Sequence, residues 1–67
     1  MRDWLIKART EKGLTMRQMG EALDISESYY SMIESGTRQK QMDLTLVSRL
    51  SAVLDIPITQ IAALEAE

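Results

Sequence analysis

Apolar side chains recur along this chain at intervals of three and four residues, and nowhere in the strict alternation with polar ones that a half-buried strand requires. Trp4, Leu5 and Ala8 share a face of a first helix over about 2–12, which Gly13 ends as a C-terminal cap. Thr15 followed three residues later by Gln18 is a capping-box pair, so a second helix starts there and runs to Leu23, burying Met19 and Leu23. At about two turns it is marginal in isolation and depends on packing. Asp24-Ile25 leaves room only for a tight turn, and aspartate is among the few side chains that tolerate left-handed backbone. Ser26 is the next N-cap. It opens a third helix that ends at Gly36, with Tyr30, Ile33 and Glu34 on one face. The polar, basic stretch Thr37 to Gln41 predicts a loop. Asp43 then caps a fourth helix whose stripe is Leu46, Val47, Leu50, Val53 and Leu54. Asp55 and Pro57 break the chain, and Pro57 at its favoured first helical position opens a fifth helix carrying Ile58, Ile61 and Leu64 inward or toward a partner.

These signals predict helices at roughly 2–12, 15–23, 26–35, 43–54 and 57–65, with no strand, repeat, low-complexity run or linker. The expected fold is all-α, a compact five-helix bundle forming a single domain over 1–67. A chain of 67 residues buries only about 60% of the surface its unfolded form exposes, so the core is economical. With neither cysteine nor histidine, disulfides and a Cys/His zinc site are excluded, and stability rests on apolar packing or dimerisation.

The apolar runs fall far short of the roughly 18 residues of a membrane span. The start MRDWLIKARTEKG breaks its apolar positions with charge, unlike a signal peptide. The expected location is therefore the cytoplasm. The net charge of −2 is unevenly spread: residues 1–40 carry seven basic and six acidic side chains, the remainder one and four. The acidity sits in the carboxyl-terminal part, which matters because nucleic-acid affinity rests largely on neutralising phosphates.

Two short helices separated by a few residues, the second with small polar residues on its outer face, form the layout of a helix-turn-helix. The order Arg9-x-x-x-Gly13-Leu14-Thr15, Met19, Leu23, Ile25-Ser26-x-Ser28-x-x-Ser31-x-Ile33-Glu34-x-Gly36-x-Arg38 and Ser51-Ala52-Val53-Leu54-Asp55-Ile56 resembles the Cro/C1-type (XRE) helix-turn-helix domain of bacterial and phage repressors over nearly the whole chain. Its most specific parts are Gly-Leu-Thr before the second helix and Ser-x-Ile-Glu-x-Gly at the end of the third. The resemblance implies a lambda-repressor-like DNA-binding bundle with the helix-turn-helix over 15–36 and the recognition helix over 26–35. It also implies a partly buried structural ion pair between Arg9 and Glu34. The sequence departs from the family pattern at four places. Met16 replaces a phosphate-touching glutamine, Gly20 a small alanine and Asp24 the turn glycine, and the loop after Gly36 lacks the family's proline and is longer.

Helical position and the resemblance together nominate Glu27, Ser28 and Met32 for base edges in a major groove. Ser28 donates to or accepts from several bases. Glu27 either accepts from a cytosine amino group or stabilises the helix amino terminus through the macrodipole. Met32 either touches a thymine methyl or fills an interhelical edge. Tyr30 takes a core position, whereas Tyr29 is expected to turn outward with its hydroxyl toward a phosphate. Thr37, Arg38 and Lys40 follow the recognition helix where backbone contacts set register, and Arg17 stands beside the free amides that begin the second helix.

Nothing in the sequence suggests catalysis: there is no His or Cys, no Ser-Lys constellation and no glycine-rich phosphate loop. No metal, cofactor or small-molecule ligand is expected. Two function classes stay open. The first is a sequence-specific regulator of transcription on double-stranded DNA, a bacterial or phage-encoded repressor located at the nucleoid when bound. It would sit on a palindromic operator as a homodimer joined through Pro57, Ile58, Ile61, Ala62 and Leu64, unless that apolar tail is only the lid on the core. The second is an antitoxin-like or adaptor module that uses the same fold to bind a protein partner, a reading favoured by the low pI of about 5.0, Met16 and Glu27.

Overall fold

Five helices follow one another in the order the periodicity predicts. The computed structural model describes residues 1–66 and contains α1 (Asp3–Glu11), α2 (Met16–Leu23), α3 (Glu27–Ser35), α4 (Leu44–Leu54) and α5 (Ile58–Glu65), with no strand among the described residues. The architecture is all-α. No single helix among these residues is long and apolar enough to cross a membrane, and α4 and α5 turn by 116° at the break between them.

Local chemistry fixes where the helices begin and stop. The side chains of Thr15, Ser26 and Asp43 accept from the third backbone amide of α2, α3 and α4, at Gln18, Tyr29 and Leu46. Thr15 and Gln18 complete the expected capping box, the Gln18 side chain returning to the Thr15 amide at 2.8 Å. Four helices end on a left-handed residue, Gly13, Asp24, Gly36 and Asp55. In each case the following amide donates to the carbonyl five residues back: Leu14 to Arg9, Ile25 to Gly20, Thr37 to Met32 and Ile56 to Ser51. The same C-terminal device thus closes α1 to α4.

One expected boundary moves. Pro57 is not the first helical residue but the N-cap of α5, with ψ at 143°, and Ile58 begins the helix. Proline fixes φ but not ψ, so the extended ψ needed to turn the chain away from Asp55 is open to it at this earlier position.

The core joins all five helices through Leu5, Met19, Leu23, Tyr30, Ile33, Leu46, Leu50, Leu54 and Ile61. Val47 and Val53 are half-buried against it rather than in it, as are Trp4, Ala8, Met16 and Ile25. Each fully buried aliphatic contributes about 1.5–3 kcal/mol relative to exposure. Of the two placements open to Ile61, inward or toward a partner, the structure shows the inward one, with its side chain fully buried in the core.

Polar contacts from Arg9 and from Arg2, the N-cap of α1, pin α3 to α1. Arg9 Nε donates to Glu34 Oε2 at 2.6 Å, and the Arg2 amide donates to the Glu34 carbonyl at 2.8 Å. The Glu34 carboxylate raises the Arg9 guanidinium above its ordinary value by bonding its charged form. Tyr30 Oη and Glu34 Oε1 are buried without a hydrogen bond. Burial first, and the Glu34 carboxylate second, push the Tyr30 phenol well above the ordinary 10.0.

Two predictions follow from this packing. A β-carbon on Gly20 would lie 2.9 Å from the Ile25 carbonyl oxygen and 3.2 Å from the Glu27 amide, both backbone atoms that cannot swing aside. Gly20→Ala is therefore expected to destabilise by about 1–3 kcal/mol in urea denaturation, the cost typical of overpacking, against a helix-propensity gain of about 0.5–1 kcal/mol. Because Tyr30 stays protonated in the fold after an unfolded tyrosine has ionised, its contribution is intact below about pH 10 and is lost above it at about 1.4 kcal/mol per pH unit. Tyr30→Phe is expected to flatten that alkaline decline in denaturant titrations across roughly pH 9 to 12.

Candidate nucleic-acid interface

α2 and α3 form a helix-turn-helix whose turn is the pair Asp24-Ile25. Asp24 adopts φ 60° and ψ 43°, and Arg49 Nη1 on α4 reaches the Leu23 carbonyl at 2.9 Å to satisfy an end of α2. Gly20 lets the α3 amino terminus lie directly against α2. Met16, where the family carries its glutamine, is half-buried against the core and serves packing.

With Tyr30, Ile33 and Glu34 facing inward, α3 leaves Glu27, Ser28, Ser31 and Ser35 exposed. Met32 is half-buried between the two sets. Glu27 and Ser28 occupy the first turn, where the free amides and the positive end of the helix dipole lie, so the Glu27 carboxylate stands in a favourable field whatever else it contacts.

Cations flank this edge in sequence: Arg17 in the first turn of α2, Arg38 and Lys40 in the loop directly after α3, all exposed. The ion pairs among the described residues are Arg2–Glu65 and Arg9–Glu34, so these three cations are unpaired there. Thr37 is exposed and its Oγ1 lies 2.9 Å from Ser35 Oγ.

Tyr29 departs from its expected outward orientation. It is half-buried against the core, and its hydroxyl accepts from Gln39 Nε2 at 3.0 Å, leaving its own proton to donate. Gln39 organises the loop. Its side chain also donates to Asp43 Oδ2 at 3.3 Å and accepts from the Asp43 amide at 3.2 Å, while its backbone is left-handed at φ 53°. The remaining candidates lie on or before α5. Pro57, Ile58 and Ala62 are exposed, and Leu64 is half-buried in a groove lined also by Trp4, Ala8, Leu54 and Ile56, with no residue from α2 or α3.

Sequence reasoning missed Arg2, Gln39, Arg49 and Glu65. Arg2 Nε reaches both Glu65 carboxylate oxygens at 3.0 Å, and its guanidinium also donates to the carbonyls of Ile33, Arg38 and Gln39. Glu65 Oε2 takes a further bond from Trp4 Nε1 at 2.7 Å. No spacing rule announces contacts between residues this far apart in the chain.

A helix-turn-helix family model matches residues 5–65 of the chain. The chain is also similar to the Bacillus subtilis (strain 168) protein named "Uncharacterized HTH-type transcriptional regulator YqaF", at 51% identity over 39 residues, a stretch covering 58% of this chain and 51% of that protein. The match thus spans about half of the relative's length. No solved structure matches the chain. With the capped α2, the left-handed turn at Asp24 and the Arg9–Glu34 brace all in place, the chain belongs to the Cro/C1-type helix-turn-helix family of DNA-binding domains.

Proposed function

We propose that the protein is a sequence-specific regulator of transcription, a repressor that places α3 in the major groove of double-stranded DNA. It acts in the bacterial cytoplasm, at the nucleoid when bound, as a binding protein rather than an enzyme. The observation that carries the reading is the exposed first turn of α3, Glu27 and Ser28, flanked in sequence by the cations Arg17, Arg38 and Lys40, which form no ion pair among the described residues. Ser28, Glu27 and Met32 read base edges. Arg17, Thr37, Arg38, Lys40 and the Tyr29 hydroxyl hold phosphates and set register.

Size argues for two copies on a palindrome. The Cα trace is 25 Å across at its longest and carries a single α3, whereas successive major grooves on one face of DNA lie roughly 34 Å apart, so one copy reads one half-site. Pro57, Ile58 and Ala62, with the half-buried Leu64, supply the exposed apolar surface that joins the pair. A second reading, an adaptor or antitoxin-like module, draws on the same observation from the other side, because Leu44 at 74% and Ile58 at 44% exposure also suit a protein partner.

Selection from a random DNA pool, followed by titration of the selected site at two salt concentrations, separates the readings. Tight binding to one enriched palindrome that weakens steeply with salt is expected. Ser28→Ala is expected to cost about 0.5–1.5 kcal/mol on that site, with little change of base preference, as for one neutral hydrogen bond. Arg38→Gln and Lys40→Gln are each expected to lower the salt slope by about 1 without changing sequence preference. Absence of an enriched sequence would favour the protein-partner reading. Sedimentation at roughly micromolar concentration is expected to find a dimer at least on DNA, and monomer throughout would remove the homodimer.

A further inference from the structure

We propose that Arg2, oriented by Glu65 and Trp4, is a positioning residue for the loop that carries Arg38 and Lys40. The proposal rests on the DNA-binding reading of that loop and adds to it a means by which the seating of α5 controls the phosphate contacts.

Arg2 is 8% exposed and therefore cannot itself touch DNA. Its donors are distributed over three elements. Nε is bound by Glu65 on α5, Nη1 reaches the Ile33 carbonyl at 2.6 Å and the Arg38 carbonyl at 3.2 Å, and Nη2 donates to the Gln39 carbonyl. The Arg2 amide adds a bond to the Glu34 carbonyl. One residue at the amino terminus thus caps the last turn of α3, where carbonyls lack helical partners and a cation suits the negative end of the dipole. It also ties down the first residues of the loop. These are backbone bonds, so they fix the path of the chain at Arg38 and Gln39 and leave the Arg38 side chain free.

The start of the loop is also tied to α3 by the Thr37 and Arg38 amides, which donate to the Met32 carbonyl at 3.0 and 3.2 Å, so what Arg2 adds is the hold on the Arg38 and Gln39 carbonyls. Gln39 is held in a left-handed conformation, uncommon for a residue other than glycine, and its own side chain anchors only the Tyr29 and Asp43 ends. Glu65 decides how the guanidinium plane lies, because it occupies Nε and is in turn fixed by Trp4 Nε1 at 2.7 Å. A lysine cannot replace this fork, since its ammonium has no planar set of donors to share among a carboxylate and three carbonyls.

Glu65→Gln gives a sharp test because simple electrostatics predicts the opposite outcome. Removing a negative charge raises DNA affinity if only net charge matters. If Glu65 positions the loop through Arg2, affinity falls instead, by about fivefold or more as is usual for coupling between sites, and the salt slope falls by about 1 as a loop cation leaves its phosphate. In a variant already lacking both loop cations (Arg38→Gln with Lys40→Gln), Glu65→Gln is expected to have no further effect. Hydrogen exchange of the Arg38 amide, which donates to the Met32 carbonyl at 3.2 Å, is expected to quicken in the free protein in Glu65→Gln and Arg2→Lys, with the core amides unchanged and the fluorescence of Trp4 altered.

That exchange measurement needs no DNA. If the wild type binds no DNA, the regulator reading fails while exchange still decides whether Arg2 orders the loop. Unchanged exchange of the Arg38 amide in Glu65→Gln, or affinity that is unchanged or higher, overturns the proposal. So does an equal loss of affinity in the variant without loop cations.

Discussion

Glu34 is a charged side chain only 2% exposed to solvent, and the orientation of α3 depends on its being satisfied. Withdrawing a carboxylate and a guanidinium from water costs several kcal/mol per ion, which their mutual attraction offsets only in good geometry. Arg9 supplies that geometry to Oε2 alone, at 2.6 Å, with its Nη1 occupied by the Leu14 carbonyl at 2.9 Å, while Glu34 Oε1 has no hydrogen bond. The pair contributes little net stability, yet it penalises any rotation of α3 that would part the charges. Breaking such a pair from one side costs about 3–5 kcal/mol, so α3 has one permitted seat on α1. The Arg2 amide, bound to the Glu34 carbonyl, fixes the same turn along the helix axis.

At its other end α3 is located by contact rather than charge. Gly20 brings the backbone of α2 against the Ile25 carbonyl and the Glu27 amide, leaving no room even for a methyl group. The left-handed Asp24 turns the chain within two residues, and the Ile25 amide closes the end of α2 on the Gly20 carbonyl at 2.9 Å. Both ends of α3 being held, its outer edge is a rigid surface. This is the property a groove-reading helix requires, since base-edge hydrogen bonds tolerate little misplacement.

The net charge of −2 is a poor guide to the electrostatics of this surface. Glu34 and Glu65 are bound by Arg9 and Arg2, so four of the charges cancel within the fold. Asp43 is turned to the amide of Leu46 as a cap. On α2, α3 and the segments joined to them, the exposed cations Arg17, Arg38 and Lys40, unpaired among the described residues, stand with the exposed carboxylates Glu21, Asp24 and Glu27. Association with a polyanion depends on such local fields more than on the total, because screening confines each charge to about 8–10 Å at ordinary ionic strength.

The sequence by itself determined every helix, the caps at Thr15, Ser26 and Asp43, the left-handed turn at Asp24 and the inward face Tyr30-Ile33-Glu34, because these depend on residues within four or five positions of one another. It also carried the Arg9–Glu34 pair through the family pattern, and it nominated the exposed first turn of α3. Tertiary structure alone decided the rest. Tyr29 is drawn against the core and onto Gln39, Ile61 takes the inward of its two open placements, and Pro57 caps α5 rather than entering it. Above all it brought Arg2 to Glu65 across 63 positions and to the loop across 36 and 37. Helical periodicity reports which face a residue occupies, but the partner met there depends on how whole helices pack, and that is fixed by the summed burial of the core.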